Sequence, residues 1–247
     1  MKKESGWWYD FFPAFRGIFN AIPQKQTNAQ VRYILRKLDL RPGKKFLDCP
    51  CGIGRIALPM AKQRIRVTGI DIMPSYIDEF REKAKRRGLK VNLFVNDMRR
   101  INFKNEFHAA ANIWTSFGFF EKESDNRLVL KKLHQALMRG GKAMLYLINR
   151  DWVVSNFRKQ EWFISGDIKV LEQRNFEYET SKMKGSWSFI KDGAEETHNM
   201  NLRLYSCHEL FDMFRSIGFA DIRGYGSIKD EPITRESSRM YIVGTKK

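Results

Sequence analysis

Residues 44–57 read KKFLDCPCGIGRIA, and this stretch decides the fold of the 247-residue chain. It begins with the apolar end of a short buried strand, which breaks at Asp48. Gly52 and Gly54 allow the backbone to bend sharply and to approach a ligand closely. A helix begins near Arg55, and its N-terminus offers unpaired N–H groups and a partial positive charge. The stretch therefore predicts a corner that binds a nucleoside.

Two cofactors fit such a corner. The spacing Gly52-x-Gly54-x-x-Ala57 matches the dinucleotide fingerprint in its Gly/Ala form. The carboxylate of Asp48, placed before the glycines, would repel a pyrophosphate and would hold a ligand that carries an ammonium group. S-adenosylmethionine (SAM) has an amino-acid end, a sulfonium and a nucleoside but no phosphate. The sequence therefore favours SAM over a nicotinamide dinucleotide.

Two further strands are predicted to end beside acidic residues. Asp71 closes the strand Arg66–Asp71, where a carboxylate can accept both hydroxyls of a ribose. Asp97 follows the strand Val91–Val95. Because parallel strands carry their carboxyl ends to one edge of a sheet, Asp48, Asp71 and Asp97 are expected along that edge. Two more strands, Phe107–Ile113 and Lys142–Ile148, alternate with helices, which indicates right-handed βαβ units and a parallel sheet.

The helix boundaries and the later segments follow from capping and turn residues. The run Thr27–Gln30 predicts a capping box at a helix start, and Arg139–Gly141 predicts the end of the helix that Ser124 caps. Between Asn149 and Tyr205 two strand-like runs flank Asp192-Gly193, which is a hairpin turn signal. A second capping box at Ser206–Glu209 opens another helix, and Ile222–Tyr225 and Arg239–Gly244 predict two last strands.

Composition sets broad limits. A chain of 247 residues can bury one sizeable core, so one domain with an insertion is expected. The net charge of +17 is compatible with nucleic acid or an acidic substrate, and equally with a surface rich in lysine and arginine. Three cysteines do not suggest a disulfide framework, so a reducing, cytoplasmic location is expected. The four histidines form no ligand cluster with Cys49 and Cys51, so no metal site is predicted.

The N-terminal residues 6–20 are unusually aromatic. They fit an amphipathic helix packed on the domain, an interfacial membrane helix, or a lid over the cofactor pocket. Asp10, Pro13 and Arg16 interrupt the run, so neither a secretory signal nor a membrane span is expected. We favour the lid, because the aromatic density exceeds what a surface helix needs.

Across nearly all its length the chain resembles the small SAM-dependent methyltransferases of the seven-stranded Rossmann-like class. Five segments carry the likeness: Phe46–Arg55, Val67–Asp71, Asn96–Arg99, Asn112–Phe120 and Gly140–Leu145. A closer likeness is to a bacterial and archaeal branch with similar residues at positions 8–12, 115–120 and 202–205. Most of that branch has no assigned substrate, and some relatives methylate amino-sugar nitrogens or other small acceptors.

The resemblance implies an α/β fold with a mostly parallel sheet and helices on both faces. From this likeness, together with the aromatic run and the hairpin signal, we expect an N-terminal helical lid over residues 1–40 and a methyltransferase domain over 41–247, with 150–205 as an inserted β substructure after strand five.

The resemblance also implies roles for individual residues. Asp71 would hold the ribose, Asp97 the adenine amino group and the Asp48–Gly54 loop the methionine end of SAM. The cofactor-binding set comprises Asp48, Cys49, Pro50, Cys51, Gly52, Gly54, Arg55, Asp71, Ile72, Met73, Asp97, Met98, Asn112 and Trp114.

The catalytic group is left open between Arg203, Tyr205 and Tyr9. Arg203 and Tyr205 lie two apart on a predicted strand, so they are expected to share a face and could orient an acceptor. The expected reaction moves the sulfonium methyl to a nitrogen or oxygen of a small molecule. The alternatives are an RNA methyltransferase that uses the basic surface and a non-catalytic SAM-binding protein. The oligomeric state is left open.

Overall fold

A computed structural model describes residues 6–247 of the chain. Along the chain the elements are α1 (Trp8–Ala21), α2 (Gln24–Lys37), β1 (Lys45–Asp48), α3 (Ala57–Lys62), β2 (Arg66–Asp71), α4 (Pro74–Arg86), β3 (Asn92–Val95), β4 (Phe107–Asn112), α5 (Glu123–Ala136), β5 (Leu137–Ile148), α6 (Arg150–Ser155), β6 (Gln160–Ser165), β7 (Ile168–Glu177), β8 (Lys182–Lys191), β9 (Ala194–Arg203), α7 (Cys207–Ile217), β10 (Phe219–Tyr225) and β11 (Arg239–Lys246).

The larger sheet has seven strands in the order β10-β11-β5-β4-β1-β2-β3. Strands β3, β2, β1, β4 and β5 run parallel, and β11 pairs antiparallel with both β5 and β10. The central strands are almost wholly buried, as expected where helices cover both faces of a sheet. Two separate apolar clusters form the core, one on each face. The predicted Rossmann-like α/β fold is confirmed.

The predicted start of α2 is wrong. The helix begins at Gln24, directly after Pro23, and not at a capping box formed by Thr27. Only Ile22 and Pro23 separate α1 from α2, and the second helix begins at the residue that follows the proline. Thr27 is buried inside the helix, where its hydroxyl accepts a hydrogen bond from Arg55 at 3.2 Å.

The predicted end of α5 is also wrong. Helix α5 ends at Ala136, and the segment 139–141 already belongs to β5. Leu137 pairs with Phe107 and Lys142 with Ala109, so β5 carries a bulge between these two pairs. The glycines fit this bulge, because a Cβ on Gly141 would lie 2.8 Å from the carbonyl oxygen of Met138.

The inserted segment forms a second sheet of four antiparallel strands in the order β6-β7-β8-β9. The predicted hairpin joins β8 to β9, with positive φ at both Asp192 and Gly193 as a tight hairpin turn requires. The prediction covered only two of the four strands. Helix α1 packs on the inner face of this sheet, where the ring centroid of Phe11 lies 5.8 Å from that of Phe189.

The last part of the chain follows the prediction closely. The Glu209 N–H donates to the Ser206 hydroxyl at 3.3 Å, and the Ser206 N–H donates to the Glu209 carboxylate at 2.8 Å. This is the predicted capping box of α7, and Gly218 ends that helix with φ of 106°. No helix in residues 6–247 combines the length and the apolar character needed to cross a bilayer.

Candidate active site

Three carboxylates at neighbouring strand ends line one cavity. Asp48 is the last residue of β1, Asp71 is the last residue of β2, and Asp97 lies two residues beyond the end of β3. Strands β1, β2 and β3 are consecutive in the sheet, so the three side chains meet at one edge. The space between the lining residues amounts to about 890 Å³ when its open mouth is included.

Asp71 holds the glycine turn in place. One carboxylate oxygen accepts the N–H of Gly52 at 2.8 Å, and the other accepts the N–H of Met73 at 3.0 Å. Burial raises the pKa of Asp71 to about 6, and these two hydrogen bonds oppose that rise. Each oxygen keeps a further lone pair with which to accept a ligand hydroxyl.

Asp48 is more deeply buried, with 2% of its surface exposed. Desolvation raises the pKa of its carboxyl to about 8, and the positive charge of Arg55 counteracts this only in part. Arg55 donates to Thr27 at 3.2 Å and to Gln30 at 2.8 Å, so its guanidinium is tied to α2. A ligand cation beside Asp48 would therefore supply a charge that the buried carboxyl lacks.

Asp97 differs from the other two acids because it already has a cationic partner. The Arg99 guanidinium donates to its two carboxylate oxygens, with Nη2 at 2.7 Å and Nε at 3.0 and 3.2 Å. The Arg99 backbone N–H adds a fourth hydrogen bond at 2.8 Å. The same guanidinium lies 4.3 Å from the ring centroid of Phe120. Asp97 is thus a fixed hydrogen-bond acceptor on the cavity wall rather than an unpaired charge.

Most of the other residues that line the cavity are apolar. The lining aliphatic side chains are Ile53, Ile56, Ile70, Ile72, Met98 and Ile113. Helix α1 forms the roof with Trp8, Phe12 and Phe19, and the Tyr76 hydroxyl donates to the Phe12 carbonyl. A polar edge below an aromatic roof suits a ligand with a flat ring, a sugar and a charged end.

Trp114 and Thr115, which follow β4, have left-handed backbones with φ of 68° and 60°. Such conformations are costly for bulky residues and are held only by surrounding contacts. Here the Thr115 N–H donates to the Tyr146 carbonyl at 3.0 Å, and its hydroxyl accepts the Ile148 N–H at 3.0 Å. The Trp114 ring is thereby fixed at the cavity wall, with the Arg55 guanidinium carbon 4.9 Å from its centroid.

The structure brings most of the predicted cofactor-binding residues to this cavity. Lining residues from the predicted set are Asp48, Pro50, Cys51, Gly52, Arg55, Asp71, Ile72, Asp97, Met98 and Trp114. The remaining ones, Cys49, Gly54, Met73 and Asn112, lie behind the wall and are buried. Of these, Asn112 keeps a buried side-chain oxygen that has no partner within residues 6–247.

The predicted cofactor-binding set left out several lining residues, among them Phe19, Tyr76, Ile113 and Phe119. One signal was available for the roof. Trp8, Phe12 and Phe19 recur at spacings of four and seven residues, which puts them on one face of a helix.

The structure does not place the three catalytic candidates at the cavity. Tyr205 is not on a strand, because β9 ends at Arg203, and its hydroxyl donates to the Glu123 carboxylate at 3.0 Å. Arg203 pairs with Glu209, and its guanidinium carbon lies 4.5 Å from the Tyr205 ring centroid. Both residues line a different surface depression, and Tyr9 lines neither. The expectation that Arg203 and Tyr205 share a strand face is therefore wrong, and neither residue lines the cofactor cavity.

This strand order, with a glycine turn after β1 and acids at the ends of β1 and β2, defines a Rossmann-like methyltransferase fold. Residues 46–141 match the family model described as a methyltransferase domain. Residues 46–141 therefore form a methyltransferase domain, and SAM is the cofactor that we expect this domain to bind. The residues present fit this cofactor, since carboxylates suit its ammonium group and ribose while the apolar wall suits its adenine.

Three relatives illustrate the range of similar sequences. A protein of Geobacillus sp. strain WCH70, with only a provisional methyltransferase name, is 21% identical over 252 residues, covering 97% of each chain. A ubiquinone biosynthesis O-methyltransferase of Vibrio parahaemolyticus is 28% identical over 170 residues, covering 67% of this chain and 65% of that one. An uncharacterized RNA methyltransferase of Enterococcus faecalis is 38% identical over 81 residues, 33% of this chain and 17% of that one.

Solved structures share the fold at low sequence identity. A SAM-dependent methyltransferase from Clostridium acetobutylicum has a TM-score of 0.80 at 13% identity, covering 97% of this chain and 98% of that one. The SAM-bound amino pentose methyltransferase CalS10 from Micromonospora echinaspora has a TM-score of 0.69 at 16% identity, covering 96% of both chains.

Proposed function

We propose that this protein transfers the methyl group of SAM to a nitrogen or oxygen atom of a small molecule. The observation that carries this proposal is the single cavity where Asp48, Asp71 and Asp97 converge under the aromatic roof of α1. A roofed cavity suits a small acceptor better than a folded nucleic acid. The amino pentose methyltransferase among the structural neighbours and the ubiquinone O-methyltransferase among the relatives support the same substrate class.

The proposed roles follow from the charge and position of each residue. The Asp48 carboxylate would hold the ammonium group of the methionine end, and Asp71 would accept the ribose hydroxyls beside the Gly52 turn. Asp97 would accept from the adenine amino group, while Ile72 and Met98 pack against the ring. Bound SAM supplies an electrophilic methyl group on a positively charged sulfur.

The protein's own contribution to such a reaction is positioning. The acceptor's lone pair forms the new bond to the methyl carbon while the carbon–sulfur bond breaks, and the electron pair stays on sulfur. The acceptor then releases a proton to solvent. The acceptor atom, the methyl carbon and the sulfur must lie in line. Fixed walls such as Trp114 and the α1 roof would hold the two reactants in this alignment and exclude water. An amine that binds neutral needs no general base for this step.

We also propose the domain roles expected from the sequence. Residues 1–40 act as a lid, 41–247 as the catalytic domain, and 150–205 as an inserted β substructure that supports the lid. The contacts of α1 favour this arrangement. Phe12 and Phe19 roof the cavity, while Phe11 and Ile18 pack on the inserted sheet. The structural description of the first segment begins at Gly6.

RNA methylation is the main alternative. It rests on the net charge of +17 and on the partial likeness to RNA methyltransferases. Many of the cationic side chains are engaged in ion pairs, for example Arg174 with Glu161 and Lys182 with Glu121. RNA binding that weakens steeply with salt, together with methyl transfer to RNA, would favour this alternative.

The test combines binding with turnover. Calorimetry should show SAM binding and no NAD binding, and incubation with radiolabelled SAM and fractionated metabolites should yield a small labelled product. Label found only in RNA would overturn the small-molecule proposal. SAM binding without transfer to any metabolite fraction or to RNA would instead support a non-catalytic SAM-binding protein.

A further inference from the structure

A second cleft lies beside the candidate active site. It is formed by the first half of α2, the end of β5, the start of β11 and the loop after β10. Its space amounts to about 1030 Å³ when the open side is included. Trp114 lines both this cleft and the cofactor cavity, so a single side chain forms a wall shared by the two.

The charged side chains that line this cleft are both cations, Lys25 and Arg239. The Arg239 guanidinium donates to the Thr115 hydroxyl at 2.9 Å, which uses one of its five N–H groups. Arg239 is the first residue of β11, and its guanidinium carbon lies 5.8 Å from the Trp114 ring centroid. Within residues 6–247 neither Lys25 nor Arg239 has a carboxylate at ion-pairing distance.

The rest of the cleft can receive a flat or polar molecule. Tyr146 and Tyr241 stack with ring centroids 4.3 Å apart and form an aromatic wall. Gln30 donates to the Tyr241 hydroxyl at 3.2 Å and accepts from Arg55 at 2.8 Å. Because Arg55 also lines the cofactor cavity, a continuous hydrogen-bonded path joins the two spaces.

We propose that this cleft, named the anion cleft, binds the methyl acceptor, and that the acceptor carries a carboxylate or phosphate group held by Arg239 and Lys25. This inference rests on the proposed function and adds the substrate class. Paired N–H donors of a guanidinium match either anion, and an arginine without a carboxylate partner is available to bind one. The acceptor's reactive atom would reach the sulfonium past the edge of Trp114.

The first test asks whether the acceptor is anionic. A metabolite extract is separated on an anion-exchange column, and each fraction is incubated with the full-length protein and radiolabelled SAM. Labelled product is expected only from retained fractions. Treatment of the active fraction with phosphatase distinguishes the anions, because a phosphate acceptor loses activity whereas a carboxylate acceptor keeps it. Methyl transfer confined to unretained fractions, or absent from all fractions, would overturn the inference.

The second test asks whether the cleft binds that acceptor. Arg239→Gln is expected to raise the acceptor KM about 10- to 100-fold, and Lys25→Gln about 3- to 10-fold, with SAM affinity unchanged within about twofold. Arg239→Lys should recover part of the loss. Lys229→Gln removes an exposed cation in the same loop region outside the cleft and serves as the control.

The two variants also keep the outcomes distinguishable. Lys25 is exposed on the first turn of α2, so Lys25→Gln remains informative if Arg239→Gln fails to fold. An unchanged acceptor KM in Lys25→Gln and in folded Arg239→Gln would overturn the anion cleft. If wild-type protein failed to bind SAM, the proposed function itself would fail; normal SAM binding with turnover of an uncharged acceptor would overturn only the further inference.

Discussion

The backbone N–H of Gly52 donates a 2.8 Å hydrogen bond to the Asp71 carboxylate, which joins the turn after β1 to the end of β2. The two strands are neighbours in the sheet, and this bond extends their pairing into the cavity. The glycine turn is therefore positioned by the same carboxylate that is expected to bind the ribose. Any change at Asp71 should affect both functions together.

Replacing Asp71 with alanine should weaken SAM binding by at least about 30-fold. The change removes the proposed ribose acceptor and the partner of the Gly52 and Met73 N–H groups, and each charged hydrogen bond is worth about 1.5–3 kcal/mol. Isothermal titration calorimetry measures the effect. Asp78→Ala, on the exposed face of α4, is the matched control and should bind SAM normally. Equal affinities in the two variants would contradict the proposed role.

Without SAM, the Asp48→Asn variant should be more stable than wild type, and the difference in stability should grow as the pH rises from 4 to 8. The folded-state pKa is raised to about 8 by burial, above the value of 3.8 for an exposed aspartate. Between pH 4 and 8 the unfolded chain therefore gives up this proton more readily, and stability falls by up to about 1.4 kcal/mol per pH unit. Asparagine has no such proton, so its Tm advantage over wild type should grow across that range.

The same variant should bind SAM poorly, because the ammonium group would lose its carboxylate. Thermal unfolding in buffers from pH 4 to 8, with and without SAM, measures both effects. Parallel Tm curves for the variant and wild type would show that Asp48 is not buried as a neutral acid.

Alanine substitutions at Gly52 and Gly54 should have different main effects, one on SAM affinity and the other on the stability of the fold. Gly52 has φ of 53°, but a Cβ there meets no atom within 4 Å, so Gly52→Ala should cost only about 1–2 kcal/mol of stability. Gly54 has φ of 82°, and its Cβ would lie 2.6 Å from the Phe80 ring, so Gly54→Ala should cost about 3 kcal/mol or more.

SAM affinity should show the opposite order once both proteins are folded. Gly52 lines the cavity and Gly54 does not, so Gly52→Ala should weaken binding more than about tenfold. Urea denaturation and calorimetry provide the two measurements. A stable Gly54→Ala protein combined with unaltered SAM binding by Gly52→Ala would refute this assignment.

Replacing Phe12 with alanine should speed SAM dissociation. The ring contacts Tyr76 and Phe119 at centroid distances of 6.5 and 5.5 Å and forms part of the roof. Its loss opens a path to solvent, and we expect a dissociation rate about 5- to 50-fold higher by stopped-flow displacement. Tyr178→Ala is the control, because this aromatic residue lies in the turn between β7 and β8 and is 66% exposed. Identical dissociation rates would argue against a lid.

The acidic edge of the cavity could be predicted because the sequence patterns that mark it are local. A buried strand followed by an acid occurs at Asp48 and Asp71, and parallel pairing then brings the two together. The roof depended on tertiary packing, since the pattern of residues 6–20 favours a lid but also fits a packed amphipathic helix or an interfacial membrane helix. The ion pair of Asp97 with Arg99 involves neighbours in sequence, yet it depended on a loop conformation that composition does not reveal.

The error at Arg203 and Tyr205 has a similar origin. Alternation along a strand correctly relates side chains to each other, but it does not say which neighbour covers each face. Here β9 ends two residues earlier than the pattern requires. Glu123 and Glu209, from two helices, bind the polar atoms of Tyr205 and Arg203. Polar partners outside the cavity therefore hold both side chains: an ion pair for Arg203 and a hydrogen bond for Tyr205.

The packing of α1 against the inserted sheet has a consequence for the synthesis of the chain. This helix is translated before the inserted sheet, and the sheet that shields Phe11 is complete only after Arg203 has been translated. At about 5–20 residues per second, its aromatic side chains stay uncovered for roughly ten seconds or longer. Nascent chains should therefore depend on holdase chaperones during that interval, and termination before the inserted sheet should leave an aggregation-prone fragment.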